Sequence, residues 1–396
     1  MAAVRTLRLS SLGYLHWGGA LWYAGEVTQA QPLVTQALAL AQADGLRRAE
    51  VDSLRLLGSI ALRSGEHAEA LRLSPAKPVH CSQDRRPSSR KPGAAPSRRR
   101  HPQPGRLRPS PHLRGREPAH LPRLKIGAAK AARSTPWATQ RTTRAIYMTA
   151  LSFYEQALEI ANEIDERRQL SMVLTNLGIF YRDLGDFLRA ERFLDQALMI
   201  KEEIGFRRGE GWIWICQALL RHQRDEHEDA LNHSQRALTL FNNLGDHIGQ
   251  AYALTQCGHA YAGLGDLVGA EQAYRQTLAL RQELRQPHLT LDLKAGLARV
   301  ALRRSEVEEA LAWVEEILAF LQNGSINGSD EPGRIYLTCY NVLAVAGDSR
   351  AGAVLDEARS LLRDRATRIS DVVLRRAYLE AVPTHREILA IVHPGI

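Results

Sequence analysis

Cysteine is nearly absent: the 396 residues hold four (Cys81, Cys216, Cys257, Cys339), none in a CxxC pair. That excludes a disulfide scaffold and a zinc ribbon or finger, and it fits a reducing compartment. Aromatics make up only 6%, while Ala and Leu dominate, which favours helix over sheet. The best apolar stretch, 212–220, is far short of the roughly 20 residues that span a bilayer. Residues 1–25 lack a basic head, apolar run and small-residue cleavage site, so no signal peptide is expected. A cytoplasmic chain with no membrane partner is the expectation. There is also no GxxxxGK[ST], no GxSxG and no HExxH, which removes the phosphate cradle, the hydrolase elbow and the zinc-protease pair.

Charge is unevenly spread. The formal net charge is +9, from 52 basic and 43 acidic side chains. Residues 74–144 hold 18 Lys or Arg against Asp84 and Glu117, a balance of +16, and 12 of the 17 prolines. The rest of the chain therefore carries 34 basic and 41 acidic groups, or −7. Two kinds of sequence are joined, and the bulk charge describes neither.

Outside that segment the chain repeats every 40 residues. One column reads Ala30, Ala70, Ala150, Ala190, Ala230, Ala270, Ala310. Five residues earlier stand Gly25, Gly65, Gly185, Asp225, Gly265 and Ser305, and seven residues later Ala37, Ala157, Ala197, Ala237, Thr277 and Ile317. A third small column holds Gly58, Gly178, Ala218, Gly258 and Ala298. Around these, apolar residues recur at three- and four-residue spacings, as in Leu174, Leu177, Tyr181 and then Ala190, Phe193, Leu194, Ala197. That is the stripe of an amphipathic helix. Gly185-Asp186, Gly245-Asp246 and Gly265-Asp266 interrupt it; Gly ends one helix in the left-handed conformation, and Asp caps the next. Each unit reads as helix, turn, helix, turn. One pair cannot bury its own apolar face, so successive pairs must stack.

Gly178, Tyr181, Gly185, Ala190, Leu194 and Ala197 reproduce the spacing of the tetratricopeptide repeat, and Gly258, Tyr261, Gly265, Ala270, Tyr274 and Thr277 nearly do. The chain resembles that family over about 25–73 and 145–322, with a period longer than the family's usual ~34 residues. The unit at 212–245 departs from the pattern, with Ala218, Arg221 and Asp225, and the unit at 292–322 is weaker again. The resemblance implies an all-α, right-handed superhelical solenoid of antiparallel helix pairs. Four segments are expected: N-terminal pairs at 1–73, a basic Arg/Pro-rich disordered segment at 74–144, the main array at 145–322, and capping helices at 323–396. Within the last, helices are expected near 333–346, 349–367 and 370–391, the final one broken at Pro383. The long period also resembles the C-terminal sensor arrays of bacterial signal-transduction ATPases and related transcriptional regulators. On that resemblance the chain is the sensor portion without its ATPase.

In the family the first helix of each unit lines a concave groove. Carried over by repeat position, the groove comprises Asn176, Ile179 and Arg182; then Trp212, Ile215, Cys216 and His222; then Tyr252, Gln256 and His259; then Arg299 and Arg303. Trp212, Tyr252 and Arg299 suit an apolar anchor with a charged rim. Asn176 matches a position where some members clamp a peptide carboxylate, but the accompanying lysines are missing. No metal, cofactor or catalytic residue is assigned. His222, His227 and His233 lie near Asp225, Glu226, Glu228 and Asp229 but lack ligand spacing, and are read as solvated turn residues. Cys216 and Cys257 read as buried, inert thiols. Glu315 and Glu316 are adjacent on a helix and point apart.

Residues 74–144 have no apolar stripe and prolines every few residues, so they build no helices of this type. An Arg-rich tract binds nucleic acid or acidic partners through phosphate or carboxylate contacts, though only Trp137 is available for stacking. Gly65 and Gly185 are three periods apart, so the segment takes the place of repeat helices without shifting the register. Arg outnumbers Lys 46 to 6, as a GC-rich gene gives, and such a gene read out of frame yields Arg, Pro, Ala, Gly and Ser. Two compensating frame errors and a disordered insert both account for it. The function expected is non-enzymatic: an array that binds a protein or peptide as the sensing arm of a bacterial regulator. The alternative is a nucleic-acid-associated regulator using 74–144.

Overall fold

The 3.6-residue stripes become sixteen α-helices among the described residues of the computed structural model, which are 2–23, 26–63, 146–323, 326 and 329–392. In chain order they are α1 Ala2–Tyr23, α2 Val27–Ala43, α3 Arg47–Arg63, α4 Ile146–Glu163, α5 Arg167–Asp183, α6 Phe187–Glu203, α7 Arg207–Gln223 and α8 His227–Leu244. They continue with α9 His247–Leu264, α10 Leu267–Glu283, α11 Leu291–Arg303, α12 Val307–Asn323, α13 Pro332–Val345, α14 Ala351–Thr367, α15 Val372–Glu380 and α16 Pro383–Ala390. No strand occurs among the described residues. The helices form consecutive antiparallel pairs, α1 with α2 through α13 with α14. The second helix of a pair packs on the first helix of the next, and first helices touch first helices along an inner row. This is a helix-pair solenoid. All described residues belong to one compact unit.

The small columns set the pair geometry. A methyl at Gly258 would come within 2.6 Å of the Tyr274 ring, and one at Gly178 within 2.7 Å of the Leu194 side chain. The ridge of one helix can seat there only because its partner presents no Cβ. Ala30, Ala150, Ala190, Ala230, Ala270 and Ala310 are all buried in these seams. Helices end at a residue of positive φ that recurs every 20 positions, as at Gly185 (φ 77°), Gly205 (φ 66°), Asp225 (φ 60°), Arg285 (φ 54°) and Ser305 (φ 66°). Asp186, Asp246 and Asp266 accept the backbone N–H of residues 189, 249 and 269 at 3.0, 3.1 and 2.9 Å. The expected Gly-Asp stop-and-start signal is thus present at three turns.

Two features involve distant parts of the chain. First, α3 pairs directly with α4, although 82 residues (64–145) separate them. Those residues, and with them the expected basic segment at 74–144, lie outside the described ones. Second, the C-terminal helices return to the first half of the array. Leu337 of α13, Leu355 and Leu362 of α14, Tyr378 of α15 and Ile388 of α16 share one core with Tyr147, Tyr154, Phe180 and Leu184 of the α4–α5 region. A methyl at Gly185 would sit 2.6 Å from the Ala377 carbonyl oxygen of α15. No helix among the described residues is long and apolar enough to cross a membrane.

Candidate peptide groove

The first helices α5, α7, α9 and α11 run along the inner row, and each residue assigned from the sequence lies on one of them. Asn176 donates through Nδ2 to Ser59 Oγ (3.0 Å), whose hydroxyl also meets the Tyr154 hydroxyl (3.1 Å). Ile179 is half-buried against the main core. Arg182 is buried and chelates Asp183 Oδ1 through Nε (3.0 Å) and Nη2 (2.6 Å). Burial works against its charge, but Asp183 and Asp330 outweigh it, so its pKa is raised. Trp212 is half-buried, edge-on to Phe241 (5.6 Å) and Tyr252 (5.1 Å), and Ile215 is buried below it. Gln256 is 2% exposed, and its Oε1 has no hydrogen-bond partner. His259 Nδ1 meets the Tyr274 hydroxyl at 2.8 Å. Arg299 donates to Thr338 Oγ1 (2.9 Å), and exposed Arg303 donates to the Ala262 carbonyl (2.5 Å).

The histidines require a correction. His222 is not a solvated turn residue: it is 8% exposed and stacked on His259 at 5.5 Å, with the His227 ring 5.1 Å away. Arg334 of α13 is hydrogen-bonded to its Nε2. Burial first, then Arg334, holds both His222 and His259 well below the ordinary imidazole range. His233 is also half-buried, with its pKa lowered chiefly by burial. The turn position misled because part of what covers His222, Arg334, arrives from more than a hundred positions later in the chain. Among the described residues no group of three or more His, Cys, Asp or Glu is placed to hold a metal. Cys216 and Cys257 are buried, and burial pushes the Cys216 thiol up to about 11.

Several residues on or packed against these helices were not assigned from the sequence. Asp292 occupies the repeat column of Trp212 and Tyr252. Arg281 and Lys201 occupy a column in which Phe241 stands, so a charge on an otherwise apolar column was the available signal. Arg281 is 2% exposed, lies 4.2 Å over the Tyr252 ring and donates to Gln286 Oε1 (2.6 Å). Lys201 is bonded to Ser171 O (3.1 Å) and Thr175 Oγ1 (3.0 Å), and burial lowers its pKa to about 8.

The chain's own residues 329–338 lie against this face. Ser329 Oγ donates to Asp292 Oδ1 (2.7 Å), and Gln223 Nε2 donates to Glu331 Oε1 (3.1 Å). Arg334 Nη2 pairs with the same Glu331 oxygen (3.2 Å). Asp330 acts electrostatically on Arg182 and Arg281. Asp292 is pushed up to about 7, first by burial and then by Asp330.

Stacked helix pairs with a polar and aromatic inner row define a repeat solenoid. The tetratricopeptide repeat model matches residues 147–203 and 210–283, so those segments carry tetratricopeptide repeats. It is 28% identical over 153 residues to tetratricopeptide repeat protein 29 of Trypanosoma brucei brucei, a match covering 39% of this chain and 31% of that protein. Among solved structures it is similar to a Rap protein complexed with competence and sporulation factor (13% identity, 96% of each chain, TM-score 0.46). It is also similar to a signal-transduction ATPase with a tetratricopeptide-repeat sensor from Pyrococcus horikoshii (16% identity, 64% of this chain, 40% of that one, TM-score 0.38).

Proposed function

We propose that the chain is a non-enzymatic interaction module that holds a peptide or an extended segment of a partner protein against its inner row. The observation that carries this reading is the seat of residues 329–331: a non-helical stretch of this chain already lies on that face, held by side chains of Gln223 and Asp292. Side chains that hold one such stretch have the spacing to hold another. Trp212 and Tyr252, half-buried and edge-to-face on α7 and α9, supply the apolar anchor. Anchors of that kind carry most of the energy in small interfaces. The array acts as the sensing arm of a larger bacterial signalling or transcriptional regulator, by resemblance of its long repeat to such sensors.

The test starts from a displayed peptide library selected against the full chain. The recovered peptides are then titrated into wild type and Trp212→Ala. Loss of an interface anchor costs about 2 kcal/mol, a roughly thirtyfold loss of affinity, and that is the expected outcome. Peptides that bind both proteins equally, while circular dichroism shows both folded, would place the binding site elsewhere.

A further inference from the structure

We infer that Asp330 and Glu331 are a built-in occupant of the inner row, and that the partner which replaces them is an acidic peptide segment with neighbouring carboxylates. This rests on the groove reading above and adds the partner's chemistry and its control.

The charge inventory of the site leads there. Three arginines come from the wall: Arg182 of α5, Arg281 of α10 and Arg299 of α11. Arg334 joins them from the first turn of α13. Two wall carboxylates face them. Asp183 is already committed to Arg182, and Asp292 is held by Ser329 and carries a raised pKa. Taking Asp330 and Glu331 away would leave four guanidinium groups against two carboxylates in a region where Arg182 and Arg281 are almost wholly out of water. Buried cations without counter-charge are strongly unfavourable, so the site requires about two negative charges from some source. In the closed molecule the source is this chain.

The way these acids are held makes them replaceable. Glu331 is bound through one carboxylate oxygen to an amide and an arginine, and Asp330 beside it adds a negative charge that favours the charged forms of Arg182 and Arg281. Neither role uses a shape peculiar to this loop; any chain presenting two carboxylates at adjacent positions offers the same charges and acceptors. The orphaned Gln256 Oε1, buried on the inner face of α9, is an acceptor the resident segment leaves unused and a longer peptide can fill with a backbone N–H. Residues 329–331 therefore restrict the groove: an incoming segment must outcompete an occupant tethered at high effective concentration. Neutral and basic segments cannot restore the charge balance and are excluded.

The experiment uses the full chain and a fluorescein-labelled peptide of residues 326–334, Ile-Asn-Gly-Ser-Asp-Glu-Pro-Gly-Arg. It is titrated into wild type and into Asp330→Asn/Glu331→Gln, whose side chains keep the shape but not the charge. The double variant is expected to bind the peptide at least tenfold more tightly than wild type. Binding should weaken with added salt, and a peptide with Asn and Gln in place of its acids should not compete. Equal affinity for wild type and variant overturns the self-occupancy, as does binding of the neutral peptide with the same affinity. Failure of the folded variant to bind overturns it too. Should the double variant not fold, amide exchange of wild-type residues 333–338 decides: excess acidic peptide should accelerate exchange there, and unchanged exchange counts against the inference. The groove reading fails separately, if library-selected peptides are indifferent to Trp212→Ala.

Discussion

Asp292 stands where two preceding units carry Trp212 and Tyr252; burial first, then Asp330 and Glu331, push its carboxyl up, with partial relief from the Ser329 hydroxyl and Arg299. A folded-state pKa near 7, against an ordinary value of 3.8, means that the folded protein holds an extra proton between about pH 4 and 7. Stability contributed by that proton is present at low pH and is lost as pH rises through 7. Asp292→Asn keeps an acceptor for the Ser329 hydroxyl and removes the titration. The variant should match wild type near pH 4 and be more stable at pH 8 by roughly 1 kcal/mol, after discounting for the group's partial exposure. His222 and His259 act in the opposite sense. Their lowered pKa values let the unfolded chain take up protons first as pH falls below 6.5, so acid destabilises the fold. Asp292 offsets part of that loss, and thermal melts between pH 4 and 8 should show the variant declining more steeply on acidification. A constant gap between variant and wild type at every pH would remove Asp292 from this account.

The helices and their turns are where sequence and structure agree most closely. Ala190, Gly178 and Gly185 could be assigned to a seam, a close crossing and a left-handed stop from their columns alone, because nearest-neighbour contacts in a solenoid repeat with the sequence. The same logic locates weak turns. Arg285 and Ser305 adopt φ of 54° and 66° at positions where other units carry glycine. A left-handed residue with a Cβ costs about 1–2 kcal/mol, partly offset by the greater unfolded-state freedom of glycine. Both side chains are exposed, so little else changes. Arg285→Gly and Ser305→Gly should each stabilise by about 0.5 kcal/mol, and the two should add because they lie on separate turns. A lower melting temperature for either would mean the side chain contributes something its position does not reveal. Asp225, also left-handed, is better suited to that conformation and should gain less.

What the repeats could not reveal lies at the scale of the whole molecule. Helices α13–α16 contain no repeat column that would announce their return to α4 and α5, so the burial of His222 by Arg334 and the seating of Glu331 on Gln223 depend on contacts more than a hundred residues long in sequence. The pairing of α3 with α4 is another such contact, but here the columns become informative once the contact is known. In the other units the small residue of the first helix meets a side chain 16 positions later, as Gly178 meets Leu194 and Gly258 meets Tyr274. Gly58 meets Tyr154 instead, 96 positions later: a methyl there would come within 2.5 Å of the ring. The difference is 80, two repeat lengths.

Residues 67–146 are 80 residues, and their removal would leave Ser64-Gly65-Glu66 as the turn between α3 and α4, in register with Leu184-Gly185-Asp186. Of the deleted stretch only residue 146, the first of α4, is described, while Val51, Leu54 and Ala61 share a core with Tyr147, Ala150 and Tyr154. The protein lacking 67–146 should therefore fold cooperatively, melt within a few degrees of the full chain or above it, and bind the same groove peptides, because closing a three-residue turn costs less entropy than closing a long excursion. Its net charge would also change sign, from +9 to −7, because the deleted stretch carries 19 basic and three acidic side chains. A deletion protein that fails to fold, or whose α3–α4 pair exchanges its amides as an unfolded segment does, would show that the pair depends on the chain between 67 and 146 after all.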